Sequence, residues 1–286
     1  MGIELAEFST IVVQRDGEVL YVTLNRPEVR NAMSLAMVRE LRAVLAQAEI
    51  DKRTRAIVLS GAGGHFCAGG DIKDMAAARA RLAAEPDALR ETNAAFGELC
   101  VAYAGTGLAV VTVLQGTVMG GGFGLACVSD VALADDSVVF RLPETGLGVI
   151  PAQVGPFLVE RLGYAETKRL AVTGAKVESQ EALRLRLVHE VHDEAALDWA
   201  VQRTLAAILA CAPGALAATK ALLAKARFAS PASLVAEAAA AFAQAALSAE
   251  GTEGTLAFVQ KRKPSWVPVP PVSPASSCEP SVGTPS

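Results

Sequence analysis

The residue pattern predicts an α/β fold that gives way to helices toward the C-terminus. Short apolar, β-branched runs alternate with longer amphipathic stretches through the first half of the chain, the order expected when strands are joined by helices. Glycine-rich turns follow several of these runs, at points where a strand must hand over to a helix. From about residue 155 onward the apolar spacing becomes helical.

Taken in order, residues 11–25 (IVVQRDGEVLYVTLN) hold two β-rich runs around Asp16-Gly17, a hairpin signal that Arg26-Pro27 terminates. Residues 34–49 place Leu35, Val38, Leu41, Val44 and Leu45 on one helical stripe, with Ser34 as N-cap. RAIVLSGAG (55–63) reads as a buried strand and a loop. HFCAGGDIKDM (65–75) is strand-like, then glycine-rich, then helical. The Ala/Arg-rich stretch 76–90, with Pro86, fits either a helix or a mobile flap. A helix is expected over roughly 90–104, a strand over 108–116, a helix from the glycine triplet to about Ser129, and a strand over 131–136. Residues 195–211 and 213–227 form amphipathic helices. The very alanine-rich 231–249 suits close packing against other helices or subunits, although alanine favours helix anywhere. The Pro/Ser-rich stretch from Pro264 has no amphipathic period and reads as a disordered or lightly docked tail.

Composition narrows the function. The 286 residues are 52% hydrophobic, enough for a large core. A net charge of −4 without a long basic run argues against nucleic acid as the main partner. The five cysteines (Cys67, Cys100, Cys127, Cys211, Cys278) are scattered, with no CxxC pair or Cys/His spacing of a metal site. A reducing cytoplasm is the expected home. The N-terminus lacks the basic and apolar regions of a signal peptide, and no long uncharged run suits a membrane span.

Two glycine-rich turns and one acid carry the chemistry. Gly120-Gly121-Gly122 follows an apolar run and matches neither GxGxxG nor GxxxxGK[ST], which disfavours a nucleotide-phosphate cradle. Such a triplet lets a backbone N–H approach a ligand oxygen, or else allows tight helix packing. Ala68-Gly69-Gly70-Asp71 offers a second turn of the same kind, and two such turns can converge on one oxyanion. Glu144 sits among Leu142, Leu147, Val149 and Ile150. Desolvated there, its carboxyl would exchange protons near neutrality, whereas in open solvent it would be an ordinary loop glutamate. His65 is a candidate for an entrance, while His189 and His192 read as surface residues. Ser129 and Ser137 lack a GxSxG setting, and Cys67 and Cys127 read as small core residues.

Several segments in order, NRPEVRNAM (25–33), HFCAGGDIKDM (65–75), GTVMGGGFGLACVSDVALA (116–134), FRLPETGLGVIP (140–151), LAVTGAKVESQEALRLRLVHEV (170–191) and AFVQKRKPSW (257–266), resemble the crotonase (enoyl-CoA hydratase/isomerase) superfamily. The resemblance covers about residues 10–266. It implies a spiral of ββα units over residues 1–195, a helical trimerisation region over 196–263, and a separate tail over 264–286. It implies an acyl-CoA thioester substrate, with CoA part of that substrate and no further cofactor, and a homotrimer or dimer of trimers. By position, Ala68 and Gly121 match the two oxyanion donors. Arg30 and Ala32 match positions near the pantetheine and phosphates, and Ala68, Asp71 and Ile72 match the segment that touches adenine. Phe258 and Lys261 match residues that reach a neighbouring subunit's CoA, with Lys261-Arg262-Lys263 serving a phosphate.

One departure matters. Two-glutamate hydratases carry their first acid where this chain has Gly124, and the second position is Glu144. Glu144 alone would serve a hydratase, or a Δ3,Δ2-enoyl-CoA isomerase, and an inactive acyl-CoA-binding protein is the remaining alternative. Pro151-Ala152-Gln153 looks most like the isohexenylglutaconyl-CoA hydratase branch, which works in acyclic terpene breakdown. On that reading Gly120 and Gly124 line the substrate site, Gly124 leaves room for a branched acyl group, and Gln153 bonds water or a second carboxylate.

Overall fold

The computed structural model describes residues 8–268. The hairpin forms as expected: β1 (Ile11–Asp16) and β2 (Val19–Leu24) pair antiparallel, turning at Gly17 with φ of 55°. Helix α1 (Leu35–Ile50) follows, capped by the Ser34 side chain, which accepts from Met37 N–H. Its Met37, Val38, Leu41, Val44, Leu45 and Ala48 are buried on one stripe, and full burial of each larger side chain contributes about 1.5–3 kcal/mol. Next come β3 (Ala56–Gly61), α2 (Ile72–Ala80), α3 (Ala88–Gly105), β4 (Ala109–Leu114), β5 (Thr117–Met119), α4 (Gly121–Cys127), β6 (Val131–Asp135) and β7 (Val139–Arg141). The second half holds α5 (Gly155–Leu162), α6 (Tyr164–Thr173), β8 (Lys176–Glu178), α7 (Ser179–Arg184), β9 (Glu190–His192), α8 (Glu194–Ala210), α9 (Pro213–Ala226), α10 (Pro231–Leu247) and α11 (Ala249–Val259).

The large sheet runs β1-β2-β3-β4-β6-β9, parallel except for its opening hairpin. The small sheet runs β5-β7-β8, and single parallel bridges tie in Cys67 (to Val118) and Met33 (to Gly70). From β2 to β6 each step along the large sheet therefore repeats one pattern: a long strand, a short extended segment or bridge, then a helix. That repeat is the spiral of ββα units. Side-chain alternation on the strands separates two cores. Ile57 and Leu59 face the main core, whereas Val58, Val111 and Leu133 face Leu197, Val201 and Leu205 of α8.

Some elements differ from the sequence expectation. β5, β7, β8 and β9 are only three residues long, too short to show an alternation, and β8 and β9 interrupt a region that reads as helical. Residues 76–90 do not form one helix. α2 stops at Ala80, turns follow, and α3 begins at Ala88. The alanine-rich helix breaks at Ser248, whose Oγ caps α11 by accepting from Gly251 N–H. The tail from Pro264, expected to be disordered or lightly docked, is docked through its described residues. Trp266 Nε1 donates to Ala210 O (3.0 Å), and Ser265 N–H donates to Glu253. Residues 269–286, with Cys278, lie outside the described residues.

Arg55 joins these parts. Buried at the start of β3, it pairs with Glu18 and donates to the carbonyls of Leu209, Cys211 and Trp266. Arg55→Met removes a buried cation's bonds to four groups. Urea unfolding is expected to show a loss of about 3 kcal/mol, with faster amide exchange at 264–268. Unchanged stability and exchange would contradict this role.

Candidate active site

The site lies where the short small-sheet segments end and their helices begin. Backbone bonds leave little freedom in the 67–71 turn. Cys67 N–H donates to Thr117 O, Met119 N–H to Cys67 O, Met33 N–H to Gly69 O, and Asp71 N–H to Met33 O, all at 2.7–3.0 Å. Gly69 sits at φ of 99°, a conformation that suits only glycine. The preceding loop is fixed by buried Asn31, whose Oδ1 accepts from Arg26 N–H and whose Nδ2 donates to Ala62 O and His65 O. Arg26 then donates to Ala32 O and pairs with Asp71 at 2.8 Å.

This bonding corrects the oxyanion assignment. Ala68 N–H donates to Arg30 O at 2.9 Å and is therefore committed. Gly70 and Gly121 N–H have no acceptor among the described residues, and both glycines line one cavity of about 550 Å³. A Cβ built on Gly121 would stand 3.9 Å from Gly70 N, so the two donors flank one space. Gly70 is the site residue that sequence reasoning missed. Both turn glycines were visible, but only the Ala68–Arg30 bond decides which amide stays available.

The glycine triplet serves packing as well as N–H presentation. Gly120, at φ of 47°, lets the Glu144 carboxylate lie against its backbone, since a Cβ there would be 2.8 Å from Oε1. A Cβ on Gly122 would strike Cys67. Glu144 begins a 3₁₀ turn directly after β7 and Pro143, and it lines the cavity. Its Oε2 is buried without a hydrogen-bond partner. Burial pushes its carboxyl above the usual range, and its own backbone N–H offsets this only in part. Asp71 and Asp74 also line the cavity but are committed elsewhere. Asp71 holds Arg26 and caps α2, and Asp74 accepts from Leu35 N–H.

The other candidate residues lie in varied surroundings. Gly124 is buried and does not open space for an acyl branch. A Cβ there would meet Val154 Cγ2 at 3.2 Å and Phe96 Cζ at 3.5 Å, so those side chains fill the position. His65 does not line this cavity; its Nδ1 accepts from Thr117 N–H and braces β5. Burial pushes the Cys67 thiol up to about 11 and the Cys127 thiol up to about 12, which fits core residues rather than nucleophiles. Arg30, Ala32, Ile72, Phe258 and Lys261 do not line this cavity, and Arg30, Ile72 and Phe258 are exposed. Within the 261–263 cluster, Arg262 forms a two-point pair with Glu253. Hydrogen bonds from Arg262 and Ser265 N–H hold that glutamate down to about 2. Phosphate binding there would fall to the two lysines. Gln153 does reach the cavity, where its Nε2 donates to Asn93 Oδ1 (2.9 Å).

The enoyl-CoA hydratase/isomerase family matches residues 14–268. The chain belongs to this family. Its fold superposes on the structure of Pseudomonas aeruginosa AtuE with a TM-score of 0.87 and 53% identity, covering 91% of this chain and 100% of the other. An enoyl-CoA hydratase/isomerase from Marinobacter aquaeolei gives 0.87 and 47%, covering 91% and 99%. The 2,3-dehydroadipyl-CoA hydratase of Escherichia coli is 30% identical over 90% of this chain and 98% of its own length.

The raised pKa of Glu144 has a stability consequence. Between the unfolded and folded values the native state binds more protons, so stability falls as pH rises through that window. The full cost is present above the folded value. Glu144→Gln removes the ionisation and is expected to stabilise the protein at neutral pH, with the advantage fading as pH falls to the ordinary 4.5. Parallel urea titrations at both pH values check this. An equal difference at both would show that Glu144 ionises normally.

Proposed function

We propose that this enzyme adds water across the double bond of a 2-enoyl-CoA, with Glu144 as its single general acid/base. We further propose a branched glutaconyl-CoA of the isohexenylglutaconyl type as substrate. The observation that carries the reading is the cavity that Glu144 shares with the free N–H groups of Gly70 and Gly121. The thioester oxygen accepts from both amides. As water oxygen bonds to C3, Glu144 takes a water proton and the double-bond electrons move onto the thioester oxygen. The enolate then collapses, and Glu144 returns the proton to C2, so that water is added overall. Preorganised donors act where negative charge develops, and one such donor is typically worth about 10²–10³ in rate. A carboxyl with a raised pKa suits both the uptake and the return of the proton.

Gln153 on the cavity wall supports the choice of acyl group. The exposed Phe228, Phe242, Leu247 and Phe258 of the C-terminal helical region support assembly as a homotrimer or dimer of trimers. Such assembly would let Phe258 and Lys261 serve a neighbour's CoA. No single helix among the described residues is long and apolar enough to cross a membrane. A cytoplasmic location belongs to the same reading.

One observation favours an isomerase as the second reading. Val154 and Phe96 lie against the place of the first acid, leaving one uncommitted carboxylate at the cavity among the described residues, which suffices to carry a proton between carbons. Turnover of crotonyl-, 3-enoyl-, 3-methylglutaconyl- and isohexenylglutaconyl-CoA in H₂¹⁸O separates the two. Hydration predicts ¹⁸O in a 3-hydroxyacyl product, with a rate loss of about 10²–10⁴ in Glu144→Gln. Bond migration without ¹⁸O would make the enzyme an isomerase. Binding without turnover would make it an acyl-CoA-binding protein.

A further inference from the structure

We infer that Asn93 and Gln153 form a subsite that reads a carboxylate on the acyl chain. The inference rests on the reading of the cavity as an acyl-CoA site and deepens it by naming the residues that would bind the second carboxyl of the substrate. Gln153 Nε2 donates to Asn93 Oδ1 at 2.9 Å, which occupies the asparagine's carbonyl oxygen. The acceptor of Gln153 is turned against the α3 backbone, because a Cβ on Gly97 would stand 2.2 Å from Oε1. What remains for a ligand is donor-rich: both N–H bonds of Asn93 and the second N–H of Gln153. A surface of that polarity suits an acceptor-only group, and an ionised carboxylate is such a group.

The location fits the reaction. Asn93, Phe96 and Gly97 share one face of α3, being three and four residues apart. Phe96 reaches 3.4 Å from the Cβ position of Gly121, and Asn93, one turn earlier on α3, lines the same cavity as the two free N–H groups. The second carboxyl of a glutaconyl group stands at the far end of its short chain, on the side away from the thioester. The electrostatics agree. Arg79 lines the same cavity with no acidic partner among the described residues, while Asp71 and Asp74 are already bound. Leu89, Ile150 and Val154 form an apolar wall for the hydrocarbon branch.

The amide pair also ties α3 to the 151–154 segment, so its test must separate recognition from bracing. Isothermal titration of the full chain with 3-methylglutaryl-CoA and isovaleryl-CoA does so. These saturated ligands share one skeleton and differ in the terminal carboxyl. The wild type is expected to prefer the diacid thioester by about 10-fold or more, the range of one or two hydrogen bonds to a charged group. Asn93→Leu, on the exposed side of α3, and Gly97→Ala, which displaces Gln153, are each expected to bring that ratio close to one. Equal wild-type affinities would overturn the subsite. So would variants that weaken both ligands in parallel and keep the ratio, which is the signature of bracing alone. Because neither ligand can be hydrated, the outcome is independent of the reaction type. A diacid preference without ¹⁸O incorporation would keep the subsite and sink the hydratase reading, and hydration without the preference would do the reverse.

Discussion

The pairing of the Cys67 segment with β5 is the constraint on which the site depends. Two backbone hydrogen bonds, Cys67 N–H to Thr117 O and Met119 N–H to Cys67 O, align successive turns of the spiral. That alignment brings the turn after Cys67 against the turn after Met119. Gly70 and Gly121 then open on the same cavity, though they lie about fifty residues apart in the chain. A shift of register by one residue would turn the alternate backbone groups inward. The donor pair is thus a property of strand pairing, with no side chain required to create it.

The neighbouring side chains hold that backbone arrangement and leave one group unspent. Arg26 and Asn31 fix the loop before α1 and, through Asp71, the turn that carries Gly70. Phe96 and Val154 close the space beside Gly124. Glu144 is different, since its Oε2 is withdrawn from water without receiving a donor in exchange. An unpaired buried carboxylate costs stability, and here that cost accompanies a proton affinity suited to catalysis. The remaining carboxylates at the cavity are neutralised or capped. The unpartnered carboxylate and the unspent N–H groups are therefore distinct groups lining one cavity.

Much of the fold was legible in the residue pattern because its long elements have strong periods. The stripe of α1, its Ser34 cap and the Asp16-Gly17 hairpin are local features, and local features can be read from short windows. The three-residue strands were not legible, since their existence depends on partners far along the chain. The site divides in the same way. Glu144 and Gly121 stand out by residue type and neighbourhood. The choice between Ala68 and Gly70 depends on a hydrogen bond to Arg30 O that no local pattern encodes. Gly124 was misread for a related reason: the absence of a side chain suggests empty space, yet Val154 and Phe96 occupy it. Asn93 carried no signal until α3 placed it beside Gln153.

The central claim is that the amides of Gly70 and Gly121 together receive the thioester oxygen. A crystal structure with acetoacetyl-CoA, whose enolate form mimics the charged intermediate, tests it most directly. The account predicts the thioester oxygen within hydrogen-bond distance of both nitrogens, with Ala68 N–H still donating to Arg30 O. An oxygen bound instead to Ala68 N–H, with the bond to Arg30 broken, would contradict it.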